Sequence, residues 1–243
     1  KQTSDALQRL IRKGSLSFAG IKDIRPSLKR LSVGASLGIG ELLAISSLLD
    51  TASRVKSFAR NKDVELEPDS LDEMFDSLEP LYSLNYELKR CIVSEEEISD
   101  EASPNLKSIR RTIKNTNEKI RSQLSSMINN QNTRTYLQEN VITMRNGRYC
   151  IPVKQEYRGQ VAGMIHDQSS TGSTLFVEPM AVVKLNNDIK ELMIKEQEEI
   201  EKILSILSNT AALNQTELED NFHILTTLDF IFAKANLSRS YHG

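Results

Sequence analysis

Four cations, Arg145, Arg148, Lys154 and Arg158, fall within fourteen residues of a segment rich in strand-forming side chains. Flexible cations around turns and on a strand suit contact with phosphate oxygens. The ordinary alternative is surface charge, because residues 141–180 sum to only +1. The segment offers no evident aromatic platform for base stacking, so sequence-specific or single-strand reading is not expected.

Other constellations are weaker. Gly34-Ala35-Ser36-Leu37-Gly38 has the GxSxG spacing of a nucleophile elbow. That elbow needs a preceding strand and a surrounding α/β sheet. Here a helix pattern precedes it, so Ser36 reads as a helix cap. His166-Asp167 beside Ser169, Ser170 and Ser173 suggests a triad. Neighbouring strand residues point to opposite faces, so the segment reads instead as a polar turn. The histidines and cysteines stand at 91, 150, 166, 223 and 242 without metal-ligand spacing. Glu198-Glu199 and Glu217/Glu219 read as solvated helix faces, and paired-carboxylate catalysis has no support. No GxxxxGK[ST] occurs, and no Gly is followed by Lys, so no run can cradle phosphates as a P-loop does.

The elements that must position the cations are mostly helical. Apolar periodicity predicts short helices over 3–13, with Leu7, Leu10 and Ile11 on one face, and over 26–31. A long helix follows over 37–60, capped by Ser36, and a Leu71/Phe75/Leu78 stripe ends at Pro80. Ser103-Pro104 opens the next helix. Its apolar residues Leu106, Ile109, Ile113, Ile120, Leu124 and Met127, with Thr116 in the gap and later Tyr136 and Leu137, form one narrow seam. Strands are expected at 141–144, 149–153, 161–165 and 174–177, with Arg145-Asn146-Gly147-Arg148 as a hairpin turn and 166–173 as a loop. Pro152 places its strand at an edge. From Met180 to His242 there is no Pro or Gly, which predicts a helix of roughly 60 residues, about 90 Å, part of which must project from any core. Two antiparallel helices with a β tip would satisfy both narrow seams.

Composition agrees. The 243 residues are 39% hydrophobic and 26% charged, with ten Gly and six Pro, too few for an all-β chain of this length. Two cysteines without CxxC spacing fit a reducing cytoplasm. No apolar run is long enough for a membrane span. The opening Lys-Gln-Thr, without Met or signal peptide, predicts a piece of a longer protein. Charge is segregated: +7 over 1–64, −11 over 65–101, +5 over 102–140 and −5 over 181–220. The basic outgoing helix either faces its acidic partner or presents a nucleic-acid stripe.

The runs Arg148-Tyr149-Cys150-Ile151-Pro152-Val153-Lys154, Glu156-Tyr157-Arg158-Gly159, Gly163-Met164-Ile165-His166-Asp167-Gln168-Ser169 and Thr174-Leu175-Phe176-Val177-Glu178-Pro179 resemble the type-two MutS family of bacteria. Val183-Lys184-Leu185-Asn186-Asn187 and Glu198-Glu199-Ile200 continue the likeness. These MutS paralogues lack the mismatch-reading domain and end in an Smr nuclease domain. The resemblance implies a mainly α fold with a small β element: a helical core part over 1–102, an outgoing lever helix over 103–140, a β-rich clamp over 141–180, and a returning lever helix re-entering the core over 181–243. It also implies that the ATP and Mg sites and the nuclease belong to parts of the parent outside this chain.

Two function classes follow. In the first, the chain is the non-catalytic grip of a cytoplasmic, homodimeric MutS-like ATPase. Its object is collided ribosomes and their rRNA, split for quality control, or branched DNA in the suppression of recombination. In the second, the arms are a purely structural coiled-coil interaction or dimerisation module without nucleic-acid contact.

Overall fold

The computed structural model describes residues 1–60 and 67–241. The chain divides into two compact units, residues 1–102 with 201–243, and residues 103–200.

The first unit holds α1 (Gln2–Lys13), α2 (Arg25–Ser32), α3 (Ile39–Arg60), α4 (Asp72–Asp76) and α5 (Tyr82–Cys91). A two-stranded ribbon, β1 (Ile92–Ser94) and β2 (Glu97–Ile98), follows. Its core is the apolar face of α3, with Leu42, Ile45, Leu48, Leu49, Ala52 and Val55 all out of solvent. Phe58, Phe75 and Phe232 pack edge-on or tilted at 6.2–6.5 Å between ring centres. Leu71, Phe75 and Leu78 are buried, as their spacing requires. On α1 the buried positions are Ala6, Arg9 and Leu10, whereas Ile11 is exposed. Arg9 displaces the expected face because its guanidinium lies 4.8 Å from the Phe75 ring centre and pairs with Asp69 and Asp72 at 2.6 Å. A buried cation with two carboxylates and a ring face is satisfied where a lone charge would not be. Ser36 is exposed and does not cap α3; Glu41 reaches back to the Gly38 amide at 2.9 Å instead.

The unbroken helix expected from Met180 onward is two helices, α8 (Met180–Ala212) and α9 (Gln215–Tyr241). Neither Gly nor Pro makes the break. The Asn214 amide turns to the Ala211 carbonyl at 3.0 Å, while its side chain donates to the Thr210 carbonyl at 2.9 Å. An Asn side chain that satisfies an orphan carbonyl offers the backbone an exit from the helix.

The second unit holds α6 (Pro104–Asn129), the single turn α7 (Gln131–Arg134), the four-stranded sheet and residues 180–200 of α8. Ser103 accepts from the Leu106 amide at 3.0 Å, the N-cap expected before Pro104. The buried seam of α6 is Leu106, Ile109, Thr116, Ile120, Leu124 and Ile128. Thr116 fills the gap, its hydroxyl bonded to the Thr112 carbonyl at 2.8 Å. Tyr136 and Leu137 do not extend that seam, because the helix ends at Asn129 and Leu137 bridges to Val153.

The strands are β3 (Thr143–Arg145), β4 (Arg148–Lys154), β5 (Gly163–Gln168) and β6 (Thr174–Pro179), antiparallel in the order β3-β4-β6-β5. Asn146 and Gly147 have φ of 51° and 71°, the paired positive values of a tight hairpin turn. Pro152 is not on an edge strand. Its carbonyl accepts from the Gln138 amide at 2.9 Å, so its nitrogen also faces residues 136–138 and leaves the ladder to β6 intact. Ile120, Leu124 and Ile128 of α6, Ile151, Val153, Leu175 and Val177 of the sheet, and Val182 and Ile189 of α8 close one apolar core.

Ile120 has no exposed surface at the centre of that core. Ile120→Ala is expected to lower stability by about 2–4 kcal/mol. Thr116→Val, which removes one locally bonded hydroxyl, should change it by no more than the net worth of a single hydrogen bond, about 0.5–1.5 kcal/mol. Urea unfolding followed by circular dichroism measures both.

Candidate nucleic-acid interface

The sheet does not bring the four candidate cations together. Arg148 and Lys154 stand at opposite ends of β4, whose seven residues span roughly 20 Å. Arg145 and Arg148 flank the β3–β4 turn. Lys154 and Arg158 flank the short 3-10 turn Gln155–Tyr157 at the other end.

The two pairs also differ chemically. Arg145 stacks over the Phe176 ring at 3.9 Å and pairs with Asp167 at 3.3 Å. Arg148 donates to Glu178 at 2.5 Å and to the side-chain oxygen of Asn187. Lys154 makes only a 3.5 Å approach to the Thr135 carbonyl and lies 5.9 Å from the Tyr157 ring centre. Arg158 is exposed, with no side-chain partner among the described residues. Beside this second pair runs a hydroxyl-rich turn. The Gln155 amide donates to the Ser173 carbonyl at 3.0 Å, and Ser169, Thr171 and Ser173 bond one another in sequence.

The residue that holds Arg148 is not among the candidates read from the sequence. Glu178 is fully buried at the end of β6. It accepts from Arg148, from the His166 ring at 2.5 Å and from the Asn186 amide at 2.8 Å. Asn186 in turn clasps Tyr149, accepting from its amide at 3.3 Å and donating to its carbonyl at 3.4 Å. Burial alone would push the Glu178 carboxyl up. The hydrogen bonds from His166, Asn186 and Arg148 outweigh it and hold the carboxyl below its usual range. The sequence carried one signal for this: a lone charge closing the apolar run Leu175–Val177, immediately before Pro179.

His166 reaches Glu178 because β5 runs on to Gln168: Met164 pairs with Glu178, and His166, two residues along, shares its face. A bulge between Ile165 and Asp167 then sets Asp167 opposite Phe176, where both meet Arg145, and the pairing continues to Gln168. That is why 166–168 are strand and not the loop expected. The ring engages a carboxylate while the nearby hydroxyls bond among themselves, so no oriented Ser-His-Asp arrangement forms. Burial, then Glu178, pushes the Cys150 thiol up to about 11, and Cys91 is buried too. Among the described residues no group of three metal-ligating side chains is gathered; His242 lies outside them.

Along the helix pair of this unit, opposite charge acts locally. Arg110 pairs with Glu196 at 2.7 Å. Arg111, Lys114 and Lys119 carry no ion pair among the described residues. Glu199, expected on a solvated face, is buried. It accepts from Ser103 at 2.7 Å and from Asn105 at 2.8 Å, at the positive end of α6.

No protein-family model matches this chain. Individual relatives do. An Endonuclease MutS2 of Agathobacter rectalis is 57% identical over 99% of this chain. Those of Lachnoclostridium phytofermentans and Lachnospira eligens are 56% and 52% identical over 99% and 100% of it. The chain belongs to the MutS2 family. It spans about 30% of the length of these MutS2 relatives. No described helix is long and apolar enough to cross a membrane.

The Glu178 centre gives a prediction with a definite sign. A carboxyl held low in the folded state stabilises it above the ordinary value of 4.5, and that contribution is lost as pH falls through the folded value. Glu178→Gln should cost about 3–5 kcal/mol at pH 7, by leaving Arg148 without its carboxylate. It should also flatten the loss of stability below pH 4.5. Denaturant unfolding at pH 7, 5 and 3.5 tests both; an equal acid slope in wild type and variant refutes the assignment.

Proposed function

We propose that this chain is a non-catalytic gripping part of a MutS2 polypeptide. In this reading α6 and the first part of α8 serve as paired lever helices, and the four-stranded sheet with its turns serves as a clamp meeting the phosphate backbone of a large nucleic-acid object. Residues 1–102 and 201–243 would belong to the core. The observation that carries the reading is the end of the sheet where Lys154 and Arg158, with almost no internal partners, stand beside the Ser169–Ser173 hydroxyls. Free cations next to hydroxyl donors suit sequence-independent contact with phosphate oxygens. Arg145 and Arg148 support the reading differently, by positioning the sheet through Asp167 and Glu178.

The parent would be a cytoplasmic homodimer that binds ATP with Mg and carries its endonuclease in segments outside this stretch; the relatives bear the name endonuclease. Its object would be collided ribosomes, gripped through rRNA and split, or branched DNA whose recombination is suppressed. A purely structural module draws support from the same contacts of Arg145 and Arg148, which hold the sheet without any nucleic acid.

The test is a salt titration of full-length MutS2 against collided ribosomes and against branched DNA. Lys154→Ala with Arg158→Ala should weaken binding and reduce the slope of log affinity against log salt by about two phosphate contacts, at roughly 0.7–0.9 each. Helicity should not change, since neither side chain lies in a core. Unchanged affinity and slope toward both targets would favour the structural module. The target whose affinity falls identifies the object.

A further inference from the structure

Helix α9 buries one side in the first unit, through Leu218, Leu225, Leu228, Ile231, Phe232 and Ala235. Its opposite side carries Glu219, His223 and Thr226 in the first half and turns apolar from Phe230 onward. Phe230, Leu237 and Tyr241 are 62%, 58% and 78% exposed, with the small exposed Ala233 between the first two. Their intervals of three, four and four residues place them in one stripe, the spacing by which a helix receives another helix. Lys234 covers one face of the Phe230 ring at 4.0 Å and leaves the rest of the stripe open. A helical stretch apolar on both sides, as this one is from Phe230 to Tyr241, is ordinarily buried on both.

We infer that this outer stripe of α9 is the seat of a helix from the part of the MutS2 polypeptide that lies outside this stretch. Two observations select that occupant over a second copy of the chain. The stripe offers on the order of 400 Å² of apolar surface, judged from ordinary side-chain areas, against about 800 Å² per partner in a stable complex between separate chains. A segment of the same polypeptide needs less, because its tether holds it at millimolar effective concentration. The relatives are long enough to supply it, since this chain matches only about 30% of their length.

Amide hydrogen exchange over residues 229–241 reads the outcome directly in two wild-type proteins, this 243-residue chain and a full-length MutS2 polypeptide containing it. Exchange should be slower by about tenfold or more in the full-length protein, and independent of protein concentration. Leu237→Glu should remove that added protection in the full-length protein while leaving the unfolding temperature of the shorter chain unchanged. Equal exchange in the two wild-type proteins would overturn the inference. So would protection that vanishes on dilution to monomer, which would assign the stripe to a second copy.

Discussion

A fully buried carboxylate sets the terms for the sheet unit. Glu178 ends β6 with no exposed surface, and an ionised carboxyl in that position is tolerable only if its oxygens are occupied. Three donors from three other elements meet that demand: Arg148 of β4, His166 of β5 and Asn186 of α8. Met164 lies opposite Glu178 across the two strands, so His166, two residues along β5, shares that face and reaches the carboxylate. Asn186 then passes the constraint to Tyr149, whose hydroxyl donates to Asn117 of α6 at 2.8 Å. One charge thus fixes the register of three strands and the roll of two helices. Apolar packing alone would fix these less uniquely.

The first unit uses smaller polar devices for the same purpose. Asn221, with no exposed surface, accepts from the Glu79 amide at 2.8 Å and donates to its carbonyl at 2.6 Å. Ser208 accepts from the Leu37 amide at 2.8 Å. Ser46 donates to Asn85 at 2.6 Å, and Asn85 donates to Asp50 at 2.7 Å. Each pairs groups far apart in the chain. The first two sit where an irregular segment meets a helix and leaves backbone groups without ladder partners, and the third joins α3 to α5. The apolar face of α3 lies at the centre of the burial, and these bonds decide which loop or helix meets which helix turn.

What could be read in the sequence was local. The Asn146-Gly147 turn, the Ser103-Pro104 helix start, the Thr116 gap and the Leu71/Phe75/Leu78 stripe are set by chemistry within a few residues, and all are present. What could not be read depends on partners distant in the chain. Glu199 looks solvated until Ser103 and Asn105 are brought to it. Ile11 looks buried until Arg9 finds Asp69 and Asp72. The α8–α9 break has no Gly or Pro to announce it, because it rests on one Asn side chain capturing one carbonyl. The candidate site divides the same way. The four cations were visible as a cluster in sequence, but a strand of seven residues separates them into pairs that sequence spacing cannot distinguish.

That separation bears on how the sheet could hold a polyanion. A guanidinium already donating to a buried carboxylate and an amide oxygen has fewer free donors and a smaller outward field than its formal charge suggests. Turning Arg148 toward a phosphate would strip Glu178 of its guanidinium partner, and a buried carboxylate left short of a cation is destabilised by several kcal/mol. An exposed phosphate contact returns less than that. Arg145 is held less tightly, since its partner Asp167 is half exposed, yet release would also forfeit its stacking on Phe176. Lys154 and Arg158 face no such opposition. If the sheet grips a phosphate backbone without first rearranging, the balance of these terms puts the contact at the Lys154 end and leaves the hairpin end to hold the shape that presents it.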